Sequence, residues 1–589
     1  MVDAVAEIQA ILAPEPHAGW VSNMWDTYSN QRASKMADWL ELKQYLFATD
    51  TSTTSNSSLP WKNSTTLPKL TQIRDNLHSN YLSALFPNDK WLSWQAYTKD
   101  AAKREKARTI TAYMENKTRE SKFRTEVSKL IYDYIDYGNA FATVTYEKRN
   151  FATEVGDMIP QYIGPRLIRI SPEDVVFNPL ATTFKDSFKI IRSVTTLGEL
   201  KKRALTSPDD AYLAKVLDRR EFIRSKVGGY KREDFNKAAQ FSADGFGDMY
   251  QYFMGEYVEI LEFYGDFHNH VTGELETNRL ITIADRSYEL RNVEMPTYSG
   301  LPPIVHVGWR FRPDNLWAMG PLDNLVGMQY RIDHLENLKA DAMDLVIHPP
   351  LKIIGEVEEF VWGPGVPIHI DENGDVAELG TNLNSIIITD NQIQSLMDQM
   401  ELMAGAPREA MGVRSPGEKT AFEVQTLDNA AGRIFQEKAT TFEMELIEPA
   451  LNFMLEAARR NFDGNEVIRV LDTALGSQKF YQITKEDITA SGVIRPVGAR
   501  HFAQQATELQ NIIGIANSPL WAQVAPHTSA IALTDFINDV TNIRGYNIFR
   551  PNVAVAEQQK TASLMDQANE EMEVQQQTPP DPESIPMDL

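Results

Sequence analysis

The sequence predicts an α+β protein of several regions: a mixed body over residues 1–315, then a mainly helical second half interrupted by a small β insertion. Three observations predict it. The first 315 residues interleave amphipathic stretches with alternating, β-branched runs. Residues 349–388 carry Pro349-Pro350, Gly363-Pro364-Gly365 and Asn373-Gly374, which no helix accommodates. From Thr420 to about Phe462 the helical pattern runs far beyond the usual helix of about 11–12 residues.

Taken in order, residues 20–47 read as one amphipathic helix carrying Trp20, Met24, Trp25, Met36, Trp39 and Leu40. A Ser/Thr/Asn-rich loop, Thr51–Thr66, separates it from a second helix, Leu70–Leu85, which ends at Phe86-Pro87-Asn88-Asp89. Trp91 and Trp94 are expected core anchors. Two charged helices fill 99–136, the second with Val127, Leu130, Ile131 and Tyr134 on one face, and Tyr137-Gly138-Asn139 stops it. Strands are expected at Ala140–Tyr146, Arg166–Ile170 and Val175–Phe177. Short helices should fill 181–255, and a meander should follow through Tyr257–Tyr264, Arg279–Ile283 and Pro303–Trp309.

Gly320-Pro321 opens a long helix, proline suiting its first turn. Leu325, Met328, Ile332, Leu335, Leu338, Ala342 and Leu345 follow at near-heptad spacing, which predicts a coiled-coil-like seam. Within the insertion, strands are expected at Leu351–Ile354, Ile368–Ile370 and Ser385–Ile388. Thr389 with Gln392 should then cap a helix over about Asn391–Met403.

The longest helix follows the loop Gly405–Lys419. Thr420 and Glu423 have capping-box spacing, and Leu427, Ala431, Ile434, Phe435, Phe442, Leu446, Leu451, Met454 and Leu455 mark its buried face. Pro449 cannot donate to the Glu445 carbonyl, which predicts a kink. Strands near Glu466–Val470, Gln482–Thr484 and Gly492–Ala499, helices from His501 to about Tyr546, and a polar, acidic end complete the chain.

The 589 residues exceed one ordinary core. The absence of cysteine excludes disulfide scaffolds, thiolate metal sites and cysteine nucleophiles. No apolar run of about 18 residues occurs, and Met1-Val2-Asp3 opens no leader pattern, so a soluble intracellular product with no membrane partner is expected. A net charge of −23 gives solubility; alternatively it suits a protein that stays near DNA without adhering to it.

No enzymatic constellation emerges, and no cofactor or metal is expected. Gly412–Thr420 approaches a phosphate-binding loop, but Glu418 stands between Gly417 and Lys419 and shifts the register. The segment Asp371–Asp375 lacks the glycine and glutamate of a calcium loop and reads as a hairpin turn. His268 and His270 form an isolated pair without further ligands.

Four stretches, in this order, resemble the portal proteins (head-to-tail connectors) of tailed bacteriophages, most closely those of short-tailed phages. They are Leu85-Phe86-Pro87 with Trp91; Asp136-Tyr137-Gly138-Asn139-Ala140; Trp317-Ala318-Met319-Gly320-Pro321-Leu322; and Gly417-Glu418-Lys419-Thr420-Ala421 with Glu423. The resemblance spans roughly residues 20–500. It implies a wing over 1–315, a stem helix over 316–348, a clip over 349–388 and a second stem helix over 389–404. A tunnel loop (405–419), a long kinked helix (420–462), a wing return (463–500), a crown (501–560) and a polar tail (561–589) would follow.

The family further implies a ring of identical subunits, usually a dodecamer, at one capsid vertex, assembled in the host cytoplasm. Its partners would be translocating double-stranded DNA, the major capsid protein, the scaffolding protein, the large terminase and a tail adaptor. Arg408, Arg414 and Lys419 are then candidate DNA contacts in the tunnel loop, although Arg414 and Lys419 can equally pair with Glu409 or Glu418. Neutral substitution of all three decides: unchanged DNA content in intact particles supports the local pairing. Another structural virion or scaffold protein, assembled through long coiled-coil helices, is the alternative reading.

Overall fold

The computed structural model describes residues 14–47, 63, 65–86, 91–96, 101–152, 158–206, 213–227, 255–269, 272–347, 351–354, 375–378, 383–404, 434–462, 466–472, 477–489 and 492–496. The protein is mixed α+β with several separate sheets. In chain order come helices α1 (Pro16–Gln31), α2 (Ala33–Leu46) and α3 (Lys69–Leu85), strand β1 (Leu92–Ala96), and helices α4 (Ala101–Glu120) and α5 (Phe123–Asp136). Strands β2 (Asn139–Ala152), β3 (Met158–Ile170), β4 (Val175–Phe177) and β5 (Lys189–Thr196) precede helices α6 (Leu197–Thr206) and α7 (Ala214–Val227). Next are β6 (Tyr257–His268), β7 (Leu275–Ala284), β8 (Tyr288–Glu294), β9 (Ile304–Gly308), β10 (Arg310–Arg312) and β11 (Asn315–Met319). Then come α8 (Val326–Ile347), β12 (Leu351–Ile354), β13 (Asp375–Glu378), α9 (Leu383–Met403) and α10 (Glu448–Asn461). The described chain ends with β14 (Glu466–Asp472), β15 (Ser477–Ile483), α11 (Lys485–Ile488) and β16 (Gly492–Pro496).

The chain divides into two compact units. The first holds residues 1–466 and 483–499; the second holds 467–482 and 500–589. Within the first, an antiparallel sheet of order β4-β5-β6-β7-β8 is buried on both faces. Strand periodicity divides its residues: Leu261 and Phe263 join Ala18, Val21 and Trp25 of α1, whereas Ile260 packs with Leu200 and Val216 of α6 and α7. A second sheet, β3-β2-β9, meets the first through a core of Trp39, Tyr137, Phe141, Phe177, Tyr264 and Trp317. Helix α10 packs on β2, and β1 pairs with β16 from 400 residues away in the chain (Leu92↔Pro496). The second unit, among the described residues, contributes most of the two-stranded β14-β15 sheet.

Several expectations are corrected. The helix expected over 20–47 is two helices that break at Arg32, whose guanidinium donates to the carbonyls of Pro172 and Val175 (both 2.7 Å) and to that of Glu173. A buried cation satisfied by three carbonyls outweighs the continuous amphipathic pattern, and Leu40 consequently points outward, 60% exposed. The expected meander does not form as drawn. Strand β9 leaves it to pair with β2 (Phe141↔His306), and β8 takes its place beside β7. Strands β1 and β5 were not expected at all.

Helix α8 begins at Val326 instead of Gly320. Asp323 Oδ2 accepts from the Gly320 amide (3.1 Å), and that local turn delays the start by more than one helical turn. Helix α9 begins at Leu383 instead of 389, so Ser385–Ile388 is helical and Thr389 and Gln392 lie inside the helix, not at its cap. The isoleucine run favours a strand by propensity, but packing of α9 along α8 prevails. Of the insertion, the expected strand β12 pairs antiparallel with β13 (Leu351↔Glu378), a strand not expected from the sequence, while Ile368–Ile370 and Asn373-Gly374 lie outside the described residues.

Candidate functional site

Of the residues singled out in the sequence, Arg408, Arg414, Lys419, Thr420 and Glu423 lie outside the described residues. Pro449 lies inside them. Residues 434–461 are continuously helical, with a π turn at Glu443–Ile447 immediately before the proline. There the Glu448 amide donates to the Glu443 carbonyl, five residues back. Pro449 has no N–H to continue the i→i−4 ladder, so one widened turn takes up the mismatch. Phe442, Leu446, Leu451, Met454 and Leu455 are buried as predicted, whereas Ile434 is half exposed.

Three of the four resemblance stretches meet the core directly, and two of them meet each other. Gly138 (φ +67°) ends α5 against the backbone of Met319 and Gly320; a Cβ there would lie 2.9 Å from Gly320 Cα, and closer still to Gly320 N and Met319 C. Asn139, fully buried, donates to the carbonyls of Tyr137 (2.9 Å) and Ala318 (3.0 Å). Its Oδ1 accepts from the Ala318 amide (3.0 Å) and from His306 Nε2 (3.1 Å), which fixes the proton on that nitrogen. Asp136 holds Arg74 through two bonds of 2.7 Å, and the Tyr137 hydroxyl meets Glu173, itself ion-paired to Lys43. Phe86 and Trp91 of the first stretch pack on Phe123 of α5.

The π turn roofs a cavity of about 450 Å³. Met444, Glu445, Pro449 and Phe453 form one wall; Phe184, Lys189, Ile304, His306 and Leu316 lie on the others. Sequence reasoning missed this site because its residues come from positions 182 to 453 and no local pattern links them. Lys189 is 1% exposed and donates to the Lys185 carbonyl (3.0 Å), with its ammonium 4.9 Å from the Phe184 ring. Among the described residues no carboxylate lies within ion-pairing distance of it. Burial holds its ammonium down to about 8 and pushes the Glu445 carboxyl up.

His306, stacked on Phe141 at 4.4 Å, is held down to about 3, first by burial and then by Lys189. Below the ordinary histidine value of about 6.5, the unfolded chain binds a proton that the folded chain refuses. Stability should therefore fall with pH from about 6 towards 4, by about 1.4 kcal/mol per unit beyond that of a His306→Gln variant. Urea unfolding at stepped pH measures the difference between the two slopes; parallel slopes would contradict the neutral, buried imidazole.

The pair α8 and α9 is built differently from the expected seam. Lys339 pairs with Asp390 (3.1 Å), while Lys69, at the level of Gln329, pairs with Glu401, so α8 and α9 run antiparallel. Of the predicted seam on α8, Leu325 just ahead of the helix and Ile332 and Leu335 within it are buried. The buried stripe continues instead through Gln329, Asp333, Asn337 and Asp341, spaced four apart. These accept from the amides of Leu70, Leu67, Thr65 and Asn63 at 2.7–3.2 Å. Four helical residues rise about 6 Å, close to two residues of extended chain at about 3.3 Å each, which is why every second amide from 63 to 67 finds an acceptor.

A scan against protein-family models and a search of curated proteins match nothing to this chain. Among the described residues, no helix is long and apolar enough to cross a membrane. The same residues contain no group of three or more histidine, aspartate or glutamate side chains placed to hold a metal ion.

An exposed apolar surface runs over α8, β12 and α9. Tyr330, Met343 and Ile347 on α8, Ile353 and Ile354 on β12, and Ile387, Ile388, Leu402 and Met403 on α9 are each 42–71% exposed. The long helix, by contrast, is well seated in its own chain. Tyr81 and Tyr134 pack on Phe435 and Phe442, and Asn452 both donates to the Ile494 carbonyl (3.1 Å) and accepts its amide (3.0 Å).

Proposed function

We propose that this chain is the subunit of a portal-type connector, a closed ring at one capsid vertex through which double-stranded DNA is packaged and later released. The observation that carries the reading is the uncovered apolar surface of the helix–hairpin–helix unit α8–β12/β13–α9. Single exposed apolar residues need no explanation, but nine on one such unit, in a chain of net charge −23, call for a partner. Identical copies satisfy it, and head-to-tail contacts repeated around an axis close into a ring.

Element order supports the same reading: an α+β body, a helix, a hairpin, an antiparallel helix and then a long helix returning to the body. In this arrangement α8 and α9 are the stem and β12/β13 belongs to the clip, where the large terminase and tail adaptor would dock. The α+β body is the wing, facing the capsid and scaffolding proteins, and Arg408, Arg414 and Lys419 belong to a loop beside the DNA. The coiled-coil alternative gains less support, because α8 and α9 pair within one chain and the buried stripe of α8 is largely polar.

Negative-stain microscopy of the purified full-length chain tests the proposal. Annular particles of one size with a central hole are expected, and Ile387→Asp combined with Leu402→Asp should reduce them to monomers of unchanged circular dichroism. Rods or dimers would favour the coiled-coil reading instead.

A further inference from the structure

The cavity beneath the π turn has the size of a small-molecule site, where volumes of about 300–1,000 Å³ are usual. Its walls are mostly apolar, with Phe184, Ile304, Leu316, Pro449 and Phe453 contributing, and exposed Leu301, Phe311 and Met444 stand at its rim. Against these walls sits one buried cation. The Lys189 ammonium has three protons to donate, with the Lys185 carbonyl and the Phe184 ring as its close described partners; the Asp186 carboxylate acts on it only from beyond ion-pairing distance. A buried ammonium without a contacting carboxylate is costly in an apolar site, so an occupant bringing a negative charge gains more there than a neutral one.

We infer that this cavity binds an apolar monocarboxylate, with the acid group against the Lys189 ammonium and the hydrocarbon along the Phe184–Leu316–Phe453 walls. Lys189 is the buried cation of the lining, whereas Lys185 is exposed, so a second negative charge on the ligand would have to sit at the solvent end of the cavity. The inference is independent of ring assembly and applies to the chain in any oligomeric state.

Calorimetric titration of the full-length protein with sodium decanoate and with 1-decanol, each below its aggregation concentration, tests it. Decanoate should bind saturably and about 10-fold or more tighter than decanol, the gain of a charge-assisted hydrogen bond over a neutral one. Lys189→Met should abolish that preference while decanol binding persists, and Ile304→Trp, which fills the cavity, should remove both. Absence of saturable decanoate binding, or equal affinity for decanoate and decanol in the unaltered protein, overturns the assignment without any variant. So does a Lys189→Met protein that keeps the preference.

Discussion

Gly138→Ala should destabilise the protein by about 3 kcal/mol or more. An L-residue in the left-handed region costs about 1–2 kcal/mol, and forcing a methyl into packed surroundings adds about 1–3 kcal/mol. At this position both penalties act together. The backbone stands at φ +67°, and the added Cβ would press on Met319 and Gly320, whose main chain cannot swing aside as a long side chain could. Gly320 is itself pinned, since a Cβ on it would stand 2.8 Å from the Ile135 carbonyl. Gly273→Ala is the control: φ there is +72°, but nothing lies within 4 Å of its Cβ. Its cost should be the conformational part alone. Urea unfolding of both variants measures the difference, and equal losses would show that the Gly138–Gly320 approach is not the tight contact described.

That contact also explains how much of the fold was legible in the sequence. Tyr137-Gly138-Asn139 reads locally as a helix stop, and it is one; what the local reading omits is that Asn139 reaches Ala318 and His306 across the sheet. Helices α3 to α5, where apolar spacing and breakers agree, fall where predicted, within about two residues. Pro449 was visible as a missing donor, because a proline removes one N–H wherever it stands. Its consequence, a π turn lining a cavity, required residues from distant strands.

The errors have physical causes. Ile386–Ile388 favours a strand by propensity, but α8 offers a helical partner that a local reading cannot see. The near-heptad apolar spacing predicted a seam and passed over the polar stripe Gln329–Asp333–Asn337–Asp341, because its partners are the backbone amides of a segment some 270 residues earlier. Side chains that recognise backbone leave no trace in the sequence they recognise. For the same reason Lys189 reads as the ordinary first residue of a strand until Phe184 and the π turn close around it.

Glu259→Ala should cost about 3–5 kcal/mol, the usual consequence of leaving a buried charge without its partner. Glu259 is fully buried on β6, on the face that α1 covers. Arg286 holds both its oxygens (2.8 and 3.1 Å), and Arg192 of β5 approaches one of them at 3.6 Å. Arg286 also reaches Asp26 of α1 (2.9 Å), so this carboxylate joins the sheet, the β7–β8 turn and the first helix. Its removal takes two charge-assisted bonds from the Arg286 guanidinium, only 6% exposed, and leaves it to the Asp26 carboxylate, which is itself 41% exposed. The double variant Glu259→Leu with Arg286→Met removes both charges, and much of the stability should return, because an apolar pair of similar volume often replaces a buried ion pair at little cost. If the single and double variants lose equal stability in urea unfolding, the loss lies in packing and not in the Arg286 charge. If the double variant recovers, the network's role is to orient α1 on the sheet more than to stabilise it, and proteolysis near the Arg32 break should then be faster in the recovered protein than in the original.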